Sequence, residues 1–195
     1  VALAICEDLW QEGGPVEWSR SADADLLLVL NGSPYERNKD DVRLELCRSR
    51  ARQAQATLAY VNLVGGQDEL VFDGDSLVVD RSGTLLGRAA QFEEQLLVVD
   101  LAAGEGPVAT RLDDTAEVYA ALVTATRDYV RKNGFTSVVI GLSGGIDSAL
   151  TAAIAVDALG AGQVVGVSMP SAYSSDHSRD DARDLADRAG LRFRT

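Results

Sequence analysis

Six residues late in the chain, Ser143-Gly144-Gly145-Ile146-Asp147-Ser148, join an apolar run at 137–142 to an Ala-rich run at 149–159. No other feature constrains the fold as much. The flanking patterns read as a buried strand feeding a helix. A further strand at 163–169 and a helix from about 175 to 189 follow, and strands alternating with helices imply a parallel sheet covered on both faces. In such a sheet ligands gather at the carboxyl ends of the strands, and the first amides of a helix have no intrahelical partner. Glycines let the backbone approach an anion closely, so phosphate is the natural guest. The hydroxyls of Ser143 and Ser148 add donors, and Asp147 could hold a Mg²⁺ that neutralises a pyrophosphate. The loop is not GxxxxGK[ST], because Ile146 follows Gly145 where a Lys is required, and it is not GxGxxG. Without the Lys that serves transfer of a terminal phosphate, a Ser/Gly cradle suits a reaction that releases pyrophosphate. The bland alternative is a Gly-rich turn with capping serines.

The first hundred residues follow a different pattern. Short apolar runs at 1–5 and 24–31 read as buried strands, separated by an irregular segment containing Gly13, Gly14 and Pro15. Leu44, Cys47, Ala51, Ala54 and Leu58 recur at helical spacing within 41–58 and predict one buried stripe. A strand at 59–64 is broken by Gly65-Gly66, a hairpin turns at Arg81-Ser82-Gly83, and a strand is expected at 95–101. The small, flexible composition AAGEGP at 102–107 marks a boundary, giving domains at 1–103 and 114–195 with a linker at 104–113. Asp114 with Glu117 resembles a capping box opening a helix through Lys132, with Val118, Ala121, Leu122, Ala125 and Tyr129 facing inward.

Composition excludes several classes. With 46% hydrophobic residues the 195-residue chain can build real cores, and a net charge of −12 opposes nucleic-acid binding. No apolar run approaches the roughly 20 residues that span a bilayer, so no membrane partner is expected. The single histidine, His177, rules out a His-based triad or multi-histidine metal site within the chain and reads as a solvated residue. Asp180, Asp181, Asp184 and Asp187 read as a solvated helix face, and Trp10 and Trp18 as packing under a loop. Two cysteines without a secretory leader point to reduced thiols in the cytoplasm. Cys47 lies on the helical stripe, whereas Cys6 ends a strand beside Glu7-Asp8, a plausible place for a nucleophile. Most lone cysteines are nonetheless small core residues.

Resemblance shifts that balance. The segment 137–159 resembles the pyrophosphate-loop ATPases, and with 164–176 (VVGVSMPSAYSSD) and 178–182 (SRDDA) it looks most like the NAD synthetase family. The resemblance implies ATP and Mg²⁺ as cofactors, with Gly141, Leu142, Ser143, Gly144, Gly145, Ile146, Asp147 and Ser148 forming the ATP loop, Asp147 meeting the metal, and Ser174 and Ser175 nearby. The runs ALAICEDLW, NGSPYERNK and YVNLVGGQDELVFDGDS resemble the nitrilase-type glutaminase domain of glutamine-dependent members of that family. This implies Cys6 as nucleophile, the Glu7 amide beside the oxyanion, and Ser33 and Lys39 on the amino-acid moiety of glutamine. The stretch Asp73-Gly74-Asp75-Ser76 matches a segment near the same pocket. The implied fold is α/β: the C-terminal part of a nitrilase-like αββα sandwich, then the N-terminal part of a Rossmann-like (adenine nucleotide alpha hydrolase) domain. The implied substrates are glutamine, ATP and deamido-NAD, in a cytoplasmic homo-oligomer. The rivals are another glutamine-fed ligase of the same loop class, and an amidohydrolase with a regulatory nucleotide-binding domain.

Val1 lies inside a strand-like run and 191–195 begins to look extended, so the chain reads as an interior piece of a longer polypeptide. The family's general-base Glu and oxyanion Lys lie upstream of the nucleophile, where this chain has five residues, none acidic or basic. Losing a general base removes about 10²- to 10⁴-fold and losing an oxyanion donor about 3 kcal/mol. The expected outcome is no measurable glutamate release when the 195-residue chain alone is incubated with glutamine.

Overall fold

The computed structural model describes residues 1–170 and 176–195, so Ser174 and Ser175 lie outside the described residues. Two compact units are formed. One comprises Val1–Gly65 with Leu70–Ala121, the other Gly66–Glu69 with Leu122–Thr195.

In the first unit β1 (Ala2–Ile5), β2 (Leu26–Asn31) and β3 (Thr57–Asn62) run parallel, and β6 (Leu77–Val79) and β7 (Leu85–Arg88) continue the sheet antiparallel. Strands β4 (Val64–Gln67) and β5 (Leu70–Asp73) intervene, with Gly65 and Gly66 inside β4, so the two glycines do not break the chain into loop as expected. Alternation along β2 and β3 sends Leu27, Val29, Leu58 and Tyr60 into a core closed by Cys47, Ala51 and Ala54 of α2 (Lys39–Ala54). The helix stops four residues before Leu58, because Gln55 turns left-handed at φ 55°, and Leu58 reaches the same core from β3. The segment expected to be irregular holds α1 (Gly14–Ser21), opened by Pro15 in its first turn, where a missing N–H costs nothing. Trp18 on α1 is exposed and packs under no loop.

The strands are not buried on both faces. Register aligns Ile5 with Leu30 and Leu30 with Val61, and these three are 66%, 54% and 50% exposed. Residues 95–101 form no named strand. Leu96 and Val98 are exposed, and the only ladder contact there is an isolated bridge between Asp100 and Glu105.

Helix α3 (Asp114–Lys132) begins one residue after its cap. Asp113 Oδ1 accepts the amides of Thr115 and Ala116 at 3.0 and 2.9 Å, doing the work expected of Asp114. Glu117 is buried and accepts from Gln91 Nε2 at 3.0 Å in place of closing a box. The buried positions of α3 are Glu117, Ala121, Thr124 and Val130, so the apolar stripe is rotated away from Val118, Leu122 and Tyr129, which are exposed.

The second unit carries a three-stranded parallel sheet in the order β10 (Arg192–Arg194), β9 (Val164–Val167), β8 (Val138–Gly141). Ala152 and Ala155 of α4 (Ile146–Leu159) and Ala182 and Ala186 of α5 (Asp176–Ala189) meet Leu142, Val164 and Leu191 in one core. These helices gather on one face. Val139, pointing the other way, is 70% exposed, so the sheet is not covered on both sides as the alternation implied. No helix among the described residues is long and apolar enough to cross a membrane.

Truncating Leu27, fully buried in β2, removes contacts at the centre of the first unit. Leu27→Ala is expected to lower the unfolding free energy of that unit by about 2–5 kcal/mol, measured by chemical denaturation.

Candidate functional site

The parallel register of β1, β2 and β3 sets three chain segments side by side at the carboxyl edge of the first sheet. Ile5 pairs with Leu30 and Asn31 with Asn62, so Cys6, Ser33 and Asn62 lie at or just past adjacent strand ends. Cys6 opens a single 3₁₀ turn (Cys6–Leu9) with φ 41°, a left-handed conformation costly for a side chain with a Cβ. Asp8 Oδ2 accepts the Ile5 amide at 2.8 Å and holds the turn. A residue at such a sharp strand-to-turn corner presents its side chain outward, and the Cys6 thiol is partly exposed. Cys47 is its opposite: burial pushes that thiol up, which keeps it protonated and inert. Burial also raises the Tyr60 hydroxyl, to about 12, opposed by Ser33 and by the charge of Arg43.

Ser33 is buried and its peptide is clamped by Asn62. The Ser33 amide donates to Asn62 Oδ1 at 2.9 Å, and Asn62 Nδ2 donates back to the Ser33 carbonyl at 3.2 Å. The Asn62 amide in turn donates to Ser76 Oγ at 3.0 Å. Lys39 starts α2 and its ammonium is engaged by Glu36 at 2.5 Å. The stretch Asp73-Gly74-Asp75-Ser76 supplies the charges beneath. Asp73 pairs with Arg43 at 2.6 Å, and Asp75 takes a two-pronged contact from Arg88 at 2.6 and 2.7 Å. Burial pushes the Asp75 carboxyl above its ordinary value, opposed by Arg88. Asp40 meets Arg88 at 3.6 Å and also pairs with Arg111, whose other nitrogen reaches Asp41 at 2.6 Å. The sequence reading named Cys6, Ser33 and Lys39 at this edge, and did not name Asn62 and Arg43, which the structure places against Ser33. A polar residue ending an apolar strand was the available signal for Asn62; an Arg in a charge-rich helix offers none.

In the second unit the loop 143–148 leaves β8 and enters α4. Ser143 and Ser148 hydroxyls lie 3.1 Å apart, Ser148 Oγ donates to the Gly145 carbonyl at 3.0 Å, and the Ser143 amide donates to Ser148 Oγ at 3.2 Å. Gly144 has φ 80°, and a Cβ there would overlap the backbone of Ser178 at the start of α5, so no larger residue fits. Gly145 is the N-cap of α4 and no side chain caps the amides behind it. The loop is open: Ser143, Gly145, Ile146 and Asp147 are exposed, and a cleft of about 390 Å³ is lined by Gly144, Gly145 and Ile146 together with Asp181, Asp184 and Arg188 of α5. Leu142 departs from the expected set. Its side chain is in the core and its amide donates to the Val167 carbonyl at 2.8 Å, so it supports the loop from below. His177 is exposed, as read from the sequence.

The residues present fit an anion with its metal. Uncapped helix amides, two hydroxyls and a glycine with no room for a side chain suit a phosphate group. Among the described residues no group of three or more His, Cys, Asp or Glu side chains forms a cage for a metal. A single carboxylate, Asp147, is the arrangement Mg²⁺ uses when phosphate oxygens complete its shell.

Comparison with known proteins agrees with both halves. The carbon-nitrogen hydrolase family matches residues 1–109 and the NAD synthase family residues 118–195. A glutamine-dependent NAD(+) synthetase from Xylella fastidiosa (strain Temecula1) is 48% identical over 202 positions, covering 100% of this chain and 37% of that protein. One from Aquifex aeolicus is 42% identical, covering 99% of this chain and 40% of the relative. The solved structure of a glutamine-dependent NAD+ synthetase from Acinetobacter baumannii, in complex with ADP, superposes with a TM-score of 0.89 at 45% identity, over 98% of this chain and 37% of that one. The chain therefore spans about 37–40% of the length of these relatives. The chain belongs to the carbon-nitrogen hydrolase family and is similar over its whole length to glutamine-dependent NAD(+) synthetases.

Proposed function

We propose that this chain serves, within a protein of the length of those relatives, the ATP-dependent amidation of deamido-NAD to NAD, with ammonia drawn from glutamine and AMP and pyrophosphate released. The observation that carries the reading is the loop 143–148: an exposed strand-to-helix turn whose Gly144 excludes any side chain and whose helix amides are uncapped. Its backbone and the hydroxyls of Ser143 and Ser148 would hold the phosphates of ATP, with Gly141, Gly145 and Ile146 contributing main chain and Leu142 support. Asp147 would hold Mg²⁺, which supplies charge neutralisation to the departing pyrophosphate.

In the first unit the Cys6 sulfur would attack the carboxamide carbon of glutamine, forming a thioester as ammonia leaves; water then releases glutamate and restores the thiol. Left-handed Cys6 and the neighbouring Ser33 support this assignment, with Ser33 and Lys39 on the amino-acid end of the substrate. Lys39 would have to exchange Glu36 for that ligand. We assign residues 1–103 to the glutaminase domain, 104–113 to a linker and 114–195 to the synthetase domain, in a cytoplasmic protein that forms a homo-oligomer.

Three measurements test the reading. Iodoacetamide should alkylate Cys6 in the native chain and reach Cys47 only after denaturation, as read by peptide mass spectrometry; native labelling of Cys47 would contradict its burial. In a protein with the flanking sequence restored, Cys6→Ala should abolish NAD formation from glutamine while NAD formation from added ammonia persists, with AMP appearing one-for-one with NAD. Gly144→Ala should lower both rates by at least about 10²-fold, since displaced phosphate contacts cost catalysis steeply; an unchanged rate would remove the loop from the chemistry.

A further inference from the structure

Among the buried cations beneath the proposed glutamine pocket, Arg43 touches the backbone of Ser33 and is not named by the reaction. Arg43 is fully buried on α2. Its Nη1 donates to Asp73 Oδ2 at 2.6 Å, while Nη2 donates to the carbonyls of Ser33 at 3.3 Å and Pro34 at 3.0 Å. A guanidinium presents its donors as a rigid planar fork and keeps its charge at any working pH, so it fixes the relative places of the groups it touches. The peptide of Ser33 is therefore held from two elements, by Asn62 at the end of β3 and by Arg43 from α2. Arg43 also stands four residues after Lys39 on the same helix, which puts the two on one face. The segment from the end of β2 to the start of α2 carries both residues proposed to meet glutamine, and Arg43 ties that segment to the carboxylate of Asp73.

We infer that Arg43 is a positioning residue for glutamine recognition, setting the backbone of Ser33 and Pro34 and through it the Ser33 hydroxyl and the start of α2. The inference rests on the glutaminase reading of the first unit. A positioning role for substrate binding predicts a change in KM for glutamine with kcat little altered, and no change in a synthetase reaction that bypasses glutamine.

Arg43→Lys keeps the charge and a partner for Asp73 but cannot also reach two carbonyls. In the protein with its flanking sequence, KM for glutamine should rise about tenfold, kcat at saturating glutamine should stay within about threefold, and the ammonia-dependent rate should be unchanged. The double variant Arg43→Met with Asp73→Leu removes the buried pair together, so no unpaired charge remains to unfold the protein. It should raise KM at least as far, and labelling of Cys6 by an electrophilic glutamine analogue at saturation should show the site still formed. An unchanged KM in either folded variant overturns the inference, as does an equal fall in the glutamine and ammonia rates. A parent protein that makes NAD from ammonia but not from glutamine overturns the glutaminase reading and this inference with it.

Discussion

The parallel pairing of β1, β2 and β3 is the constraint from which the first unit's chemistry follows. Because side chains alternate along a strand, a slip of one residue in that register would carry Leu27, Val29, Leu58 and Tyr60 out of the core. The same register decides that the chain leaves β1 at Cys6 beside the segment leaving β2 at 32–33 and the Asn62 end of β3. The Cys6 sulfur and the groups proposed to orient its substrate are brought together by backbone hydrogen bonds, with no sequence proximity between them. Beneath this edge, carboxylates and guanidinia are buried in pairs: Arg43 with Asp73, and Arg88 with Asp75. Such pairs contribute little net stability relative to apolar replacements, but they are directional, and breaking one leaves an uncompensated charge. They hold loops in place where apolar contacts would let them slide.

The second unit reaches its site by a different route. There a helix is started without a side-chain cap, so the dipole and free amides of α4 face the exposed loop. Ser143 and Ser148 bond to one another and to the loop's own backbone, which shapes the turn and keeps two hydroxyls at its mouth. The packing of α5 against Gly144 closes the rear. Local hydrogen bonds and one steric exclusion shape this site, whereas strand register shapes the other.

That difference explains what could be read in advance. The loop 143–148 and its flanking strand and helix were legible because the loop's own hydrogen bonds lie within a few residues, although the packing of Ser178 against Gly144 was not. Cys6, Ser33 and Lys39 were reached through family likeness, since nothing local in ALAICEDLW distinguishes a nucleophile from a core thiol. Arg43 and Asn62 were not reached, because their contacts are made with partners 9 to 30 residues away. Among the elements, α1 was hidden by Gly13-Gly14-Pro15, which reads as loop but here opens a helix. The stretch 95–101 is apolar like a strand yet pairs with no strand among the described residues, so composition without pairing gave coil. On α3 the capping role moved one residue to Asp113, which freed Glu117 to bind Gln91 and rotated the buried stripe.

The row formed by Ile5, Leu30 and Val61 bears on how the chain behaves in water. Three branched hydrocarbon side chains on adjacent strands make a contiguous greasy band, and mutual repulsion from a net charge of −12 acts over the whole surface without masking it. Added salt weakens that repulsion and leaves the band untouched. Raising the ionic strength therefore shifts the balance between repulsion and the apolar band toward self-association of the chain.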